Sequence, residues 1–229
     1  MVFRDRCDAG QQLAKALAGY KDQHPIIIAL PRGGVPVGAE VAAALGAPLD
    51  IVLVRKIGAP IQPELALGAV VDGGEPVIVR NPQVMESTAT NEEEFRILCD
   101  IELKEIERRR SAFCGDRPPA DIAGRVVVLV DDGMATGATA RAAIRSLKTR
   151  MPQKLVLAVP VAPADTLESL RQEVDDIVCL TDLGGWGAIG YFYDDFRQLS
   201  DRDVVAILSR FAQSTGAATE THRPAVHTT

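Results

Sequence analysis

The residues best suited to chemistry in this sequence are two adjacent carboxylates, Asp131 and Asp132, at the end of the apolar run Val126–Val130. They lead into a stretch of small and hydroxyl-bearing residues, Gly133-Met134-Ala135-Thr136-Gly137-Ala138-Thr139. Ionised aspartates accept hydrogen bonds from hydroxyls, so the pair suits a diol. The small residues let the backbone approach an anion, and N–H groups opening a following helix would point at it. Thr136 and Thr139 add hydroxyl donors. A diol and a phosphate together describe a sugar phosphate. An isolated Asp-Asp-Gly would be an ordinary turn and helix cap; the flanking strand and loop set this one apart. Competing phosphate motifs fail: there is no Gly-x-Gly-x-x-Gly, and Gly33 to Gly38 has P-loop glycine spacing but precedes Ala39-Glu40, not Lys-Ser/Thr.

Three further stretches could contribute. Ile26–Leu30 runs into Pro31-Arg32-Gly33-Gly34, where two glycines free the backbone and Arg32 offers a donor fork for a diphosphate. A plain strand–helix connection with a surface arginine is the competing reading. Lys56 follows Arg55 at a strand end and opens a Pro/Gly-rich segment, with Glu64 just beyond; it is either a mobile cation or an ordinary strand-end lysine. The late stretch Trp186 to Phe196 holds the single Trp and two of the three Tyr, and reads either as an aromatic corner or as a platform for a ring. The three histidines are badly placed for a catalytic base, and the four cysteines have neither metal-ligand nor redox spacing. Chemistry must come from carboxylates, cations and backbone.

The elements that must position these residues alternate between strand and helix, which predicts an α/β fold with a doubly wound, mainly parallel sheet. Helices are expected near Cys7–Tyr20, Val35–Leu45, Asn91–Phe113, Asp165–Gln172 and Asp201–Ala212. Strands are expected at Ile26–Leu30, Ile51–Arg55, Val126–Val130, Lys154–Val161 and Asp175–Leu180. Lys56–Pro63 is too rich in Pro and Gly for regular structure. Leu65–Val71 and Pro76–Val79 flank Asp72-Gly73-Gly74 as a hairpin. Residues 57–120 interrupt the alternation and form the expected lid or hood insertion within a domain spanning 1–212. Residues 213–229 are polar and aperiodic, so a disordered tail is expected.

At 229 residues and 47% hydrophobic content, the chain suits one globular domain. A formal charge of -6 argues against a nucleic-acid surface, with Arg108-Arg109-Arg110 read as a solvated helix face. The residues after Met1 lack a signal-peptide core, and no run reaches membrane-spanning length, so a cytoplasmic protein without a membrane partner is expected.

Val126 to Thr139 resembles, without a gap, the phosphoribosyl-pyrophosphate (PRPP) motif of type I phosphoribosyltransferases: apolar strand, two acids, three variable residues, Thr-Gly, one residue, Thr or Ser. The resemblance covers about Phe3–Ala212 and implies that fold, PRPP and a nitrogen acceptor as substrates, magnesium as cofactor, and a homodimer. It implies that Asp131 and Asp132 hold the ribose hydroxyls and that Gly133 to Thr139, including Ala135, Gly137 and Ala138, hold the 5-phosphate. Pro31–Gly34 resembles the family's pyrophosphate loop, where a non-proline cis peptide is common, expected here at Pro31–Arg32 or Arg32–Gly33. Arg32, Gly33, Gly34 and Lys56 would meet the pyrophosphate, with Arg32 and Lys56 catalytic. Trp186 and Ile189 would line the acceptor, and Asp194 would reach the magnesium–pyrophosphate group. Where 6-oxopurine enzymes carry an Asp before Thr-Gly, this chain has Ala135, which disfavours guanine and hypoxanthine. The rival reading is a protein that senses PRPP without turning it over.

Overall fold

The computed structural model describes residues 3–73, 76–184 and 188–212. A five-stranded parallel sheet forms the centre. Its strands are β1 (Ile26–Ala29), β2 (Leu49–Ile51), β6 (Val126–Val130), β7 (Lys154–Ala162) and β8 (Asp176–Asp182), in the order β2-β1-β6-β7-β8. β1 and β6 are buried along their whole length. Both faces of the sheet are covered, which is why these runs are continuously apolar rather than alternating. Each buried Val, Leu or Ile contributes about 1.5–3 kcal/mol, so β6 is a firm root for the acids at its end.

Helices α1 (Arg6–Ala16), α2 (Gly34–Leu45) and α7 (Asp201–Ala212) share one core with Ile27, Ala29, Val128 and Val130. α5 (Ala138–Thr149) and α6 (Ala164–Leu170) share the other with Ile26, Ile28, Val127 and Leu129. Successive strand residues point to opposite faces, so each strand feeds both cores. β1 connects to β2 through α2, and β6 connects to β7 through α5, on opposite faces. The adjacent strands β1 and β6 therefore bracket a topological switch point, where open α/β sheets form a crevice beyond the strand ends.

A second, antiparallel sheet forms the hood, in the order β3-β4-β5: β3 (Val54–Gly58), β4 (Ala66–Val71) and β5 (Val77–Arg80). The expected hairpin is its β4–β5 half. Two expectations need correction. The single strand Ile51–Arg55 is two: the chain leaves the core sheet after Ile51, and Leu53 N–H donates to the buried Asp72 carboxylate at 2.6 Å instead of continuing a ladder. Lys56-Ile57-Gly58 is strand, with Lys56 opposite Ala69 and Ile57 opposite Gly68 before a register shift sets Gly58 opposite Ala66, so the irregular stretch begins at Ala59.

The hood also contains α3 (Pro82–Ser87), which was not anticipated although Asn81 caps it and Pro82 opens it. The long α4 (Glu92–Cys114) starts with a capping box between Asn91 and Glu94 and buries Phe95, Cys99, Ile106 and Phe113. Arg110 corrects the expectation of a solvated arginine face. Its guanidinium is buried and bonded to Asp50, Asp72 and the Ile51 carbonyl, while Arg108 and Arg109 do pair locally with Glu105. Among the described residues, no helix is long and apolar enough to cross a membrane. The expected tail and Gly74 lie outside the described residues.

Candidate active site

The switch-point crevice brings the two main sequence candidates into contact. The loop after β1 contains a cis peptide at Pro31–Arg32, one of the two positions expected, and delivers Gly33 and Gly34 against the end of β6. A Cβ at Gly33 would overlap the Asp132 carboxylate, and one at Gly34 would lie 2.7 Å from the Val130 carbonyl oxygen. Only glycine allows this approach.

Asp131 and Asp132 differ despite being neighbours. Asp131 is partly exposed, and its Oδ1 accepts from the Asp132 N–H at 2.9 Å. Burial, and then the negative charge of Asp132, push the Asp131 carboxyl well above the usual carboxylate range. Asp132 is buried; its Oδ2 accepts from Arg6 Nε at 2.7 Å, and its backbone carbonyl accepts from the Tyr193 hydroxyl at 2.7 Å. Burial also pushes the Tyr193 phenol upward, so it remains a donor. Neither Arg6 nor Tyr193 was singled out from the sequence. Arg6 lies in a segment read only for targeting signals, and its partner is 126 positions away.

From Asp132 the chain turns through Gly133 to Gly137. Met134 N–H donates to the Val161 carbonyl at 3.0 Å, and Thr166, also missed, donates its hydroxyl to the Ala135 carbonyl at 2.8 Å. Gly137 adopts the left-handed region (φ 69°) as the N-cap of α5. Helices α1, α3 and α4 begin with side-chain caps; α2 and α5, which begin at this crevice, have none. At α2 the Gly34 and Val35 N–H groups already donate to the Leu30 and Arg32 carbonyls and Pro36 has none, whereas no acceptor among the described residues takes the first-turn N–H groups of α5, which are open to an anion. Thr136, Ala138 and Thr139 are exposed at that helix start. A cleft of about 570 Å³ runs between it and the β4–β5 hairpin, lined by Gly68, Ala69, Arg80, Thr136, Ala138 and Arg141.

The remaining candidates are placed less directly. Ile189 packs on Gly133, where a Cβ would come within 2.5 Å of Ile189 Cγ2, so the late segment does meet the loop. Lys56 pairs with Ala69 across β3 and β4 and shares that face with Val54 and Val79, the face turned toward α5. Its Nζ sits 3.6 Å from Glu64 Oε2 and 3.4 Å from the Glu64 carbonyl. The Arg32 side chain reaches Asp201 at 3.4 Å instead of entering the crevice. Asp194 is exposed; its N–H donates to the Phe3 carbonyl at 2.8 Å. Trp186 lies outside the described residues. Among the described residues no group of three or more His, Cys, Asp or Glu side chains could hold a metal ion. A divalent cation fits this donor set only if it arrives on an anionic ligand that supplies most of its oxygens.

Comparisons with known proteins agree with this geometry. A family model described as "Phosphoribosyl transferase domain" matches residues 6–191. Two Mycobacterium tuberculosis proteins, from strains CDC 1551 and H37Rv, are 43% identical over 209 residues, 91% of this chain, and are provisionally named phosphoribosyl transferases. The chain spans 47% of their length. The crystal structure of TT1426 from Thermus thermophilus is 44% identical and superposes with a TM-score of 0.75, covering 92% of this chain and 99% of that one. With the acid pair, the glycine loop and the switch point already in place, the match over residues 6–191 settles the family: this chain belongs to the phosphoribosyl transferase domain family.

Proposed function

We propose that this chain transfers the 5-phosphoribosyl group of PRPP to a nitrogen acceptor, releasing pyrophosphate. The observation that carries the reading is the crevice where Gly33–Gly34 abuts Asp131–Asp132 and the uncapped N-terminus of α5 begins. The acid pair accepts from the ribose hydroxyls, and Gly133–Thr139 with the α5 N-terminus holds the 5-phosphate. The Pro31–Gly34 loop, with Arg32, holds the pyrophosphate. The acceptor nitrogen forms a bond to the anomeric carbon as the carbon–oxygen bond to pyrophosphate breaks. Pyrophosphate leaves with the electron pair, and the acceptor gives up its N–H proton to solvent.

Charge grows on the leaving oxygens, so preorganised donors and cations lower the barrier most. Arg32 and Lys56 are the cations for this task. Both are partly exposed and held by single acidic partners on flexible side chains, so each can exchange its carboxylate for a phosphate oxygen. Magnesium bound to the pyrophosphate would neutralise part of that charge, with Asp194 the candidate protein ligand. Ile189 on Gly133 marks the acceptor side, and Ala135 in place of an acid disfavours 6-oxopurines. A cytoplasmic homodimer completes the proposal.

The test is pyrophosphate release from PRPP and magnesium across a panel of bases and amines, alongside a melting scan. Saturating PRPP at about a hundred dissociation constants should stabilise the protein by roughly 2.7 kcal/mol. Asp131→Asn with Asp132→Asn should remove most of that shift. An unchanged shift in the double variant would sink the assignment, and binding without release against every acceptor would leave a PRPP sensor.

A further inference from the structure

Arg6 is held on three sides. Its Nε donates to Asp132 Oδ2 at 2.7 Å, and one terminal nitrogen donates to the Arg197 carbonyl at 3.0 Å. Its Cζ lies 3.9 Å from the centre of the Phe196 ring. Only 11% of its side chain and 13% of Asp132's are exposed, so this is not a pair of surface charges in passing contact.

The clamp is itself braced. Phe196 stacks on Tyr193 at 4.9 Å, Tyr193 donates to the Asp132 carbonyl, and Phe3 packs on Tyr193 at 5.3 Å. Backbone bonds from Phe3 N–H to the Phe192 carbonyl and from Asp194 N–H to the Phe3 carbonyl tie the N-terminal arm to the late segment. A ring of contacts through Phe3, Tyr193, Phe196, Arg6 and Asp132 thus fixes one carboxylate from two distant parts of the chain.

The consequence lies in the oxygens left over. Asp131 Oδ1 is taken by the Asp132 N–H and Asp132 Oδ2 by Arg6, whereas among the described residues no other residue donates to Asp131 Oδ2 or Asp132 Oδ1. Two adjacent acids with one open oxygen each match the two donors of a vicinal diol. An aspartate without a partner would turn freely about its side-chain bonds and be hydrated on both oxygens. Arg6 removes that freedom, and its positive charge offsets part of the repulsion between the two carboxylates.

We infer that Arg6 is a positioning residue that orients Asp132 and thereby gives the site its preference for an intact ribose diol. This rests on the proposed sugar-phosphate site and deepens it. Arg6 acts through Asp132 and does not touch the reacting atoms.

The experiment compares ribose 5-phosphate with 2-deoxyribose 5-phosphate by calorimetry on the full chain and its variants. The wild type should prefer the ribose compound by about tenfold or more, the scale of one hydrogen bond to a charged acceptor. Arg6→Met keeps an unbranched apolar stem against Phe196 but removes the donors, and should bring the preference to within about threefold. Arg6→Lys keeps a charge but loses the planar fork, and should fall between. A brace that served stability alone would lower the melting temperature and leave the ratio of the two affinities untouched. A folded Arg6→Met variant with the wild-type ratio therefore overturns the inference while leaving the diol site standing. Should Arg6→Met not fold, Arg6→Lys decides: the full wild-type ratio overturns the inference, and a reduced one supports it. A wild type that binds neither compound, or both equally, strikes out the diol site itself and the role of Arg6 with it.

Discussion

Two acid–arginine constellations in this molecule use the same residue types to opposite ends. At the root of the hood, Asp50 and Asp72 meet Arg110 and Arg117; at the end of β6, Asp131 and Asp132 meet Arg6. The first is balanced, two carboxylates to two cations, and its oxygens are fully engaged. Asp50 accepts from both arginines and from the Ala120 N–H, while Asp72 accepts from Arg110 and the Leu53 N–H. The second has two carboxylates and one cation, and among the described residues each acid keeps an oxygen that no donor reaches. A closed network fastens elements together; an open one waits for a ligand. Buried polar groups cost free energy unless satisfied, so an unbalanced pair at a strand end is informative where a balanced one is not.

Breaking the closed network should have the largest effect. Arg110 joins α4 to β2 and to the start of the hood, and Arg110→Ala would leave Asp50 and Asp72 buried without their main partner. Losses from removing one partner of a buried pair run about 3–5 kcal/mol, and denaturant unfolding should show that range here. Arg110→Ala with Asp72→Asn should recover part of it, since Asp72 is then neutral and Asp50 keeps Arg117. A loss below about 1 kcal/mol in the single variant would mean that the network contributes no more than a surface pair.

The second prediction concerns the cation that bridges the two regions. Lys56 stands on the hood but faces α5, so it can act on charge that develops in the crevice without helping to hold the hood together. Lys56→Ala should lower turnover about a hundredfold, the scale of losing one preorganised charge-stabilising donor. PRPP affinity should fall much less, because the acid pair, the Pro31–Gly34 loop and the α5 N-terminus remain. Steady-state kinetics with direct binding separates the two quantities, and equal losses in both would reject the role.

How far each region was legible follows from the range of the contacts that make it. The parallel sheet was readable because β6 and β7 are continuous apolar runs whose burial is written in neighbouring residues. The acid pair and the Thr136–Thr139 loop were readable for the same reason: strand, acids, loop and helix follow one another without interruption. The hood root was not. Nothing between Ile51 and Arg55 breaks the apolar run; the chain leaves the sheet there because Leu53 bonds to Asp72, 19 residues on. Asp72, read as part of a turn, is a buried acid, and Arg110, read as solvated, has partners 38 and 60 residues away. Arg6 escaped in the same manner. α3 is a different case, because Asn81 and Pro82 mark its start in plain sequence.

The smallest effect expected is also the one that tests the open network most directly. Burial and the charge of Asp132 raise the Asp131 carboxyl in the folded protein, so folding favours its protonated form. A group raised on folding contributes stability that is fully present below its unfolded value and is lost as pH rises through the folded one. At neutral pH the ligand-free protein therefore carries a cost at Asp131, whose charge its surroundings oppose. Asp131→Asn removes that charge, and its amide oxygen can still accept from the Asp132 N–H. The variant should gain about 0.5–2 kcal/mol in the absence of ligand, the usual size of a single stabilising change. That gain should shrink as pH falls toward the ordinary carboxylate range, where wild-type Asp131 is already protonated. Ribose 5-phosphate binding should move the other way, weakening in wild type on acidification and weakened at every pH in the variant, because the diol needs the ionised acceptor. Melting curves and calorimetry over the same pH series read both trends. A variant no more stable than wild type at neutral pH, or one that still binds ribose 5-phosphate as wild type does, would show that Asp131 is part of a settled turn and that the two constellations are not different in kind.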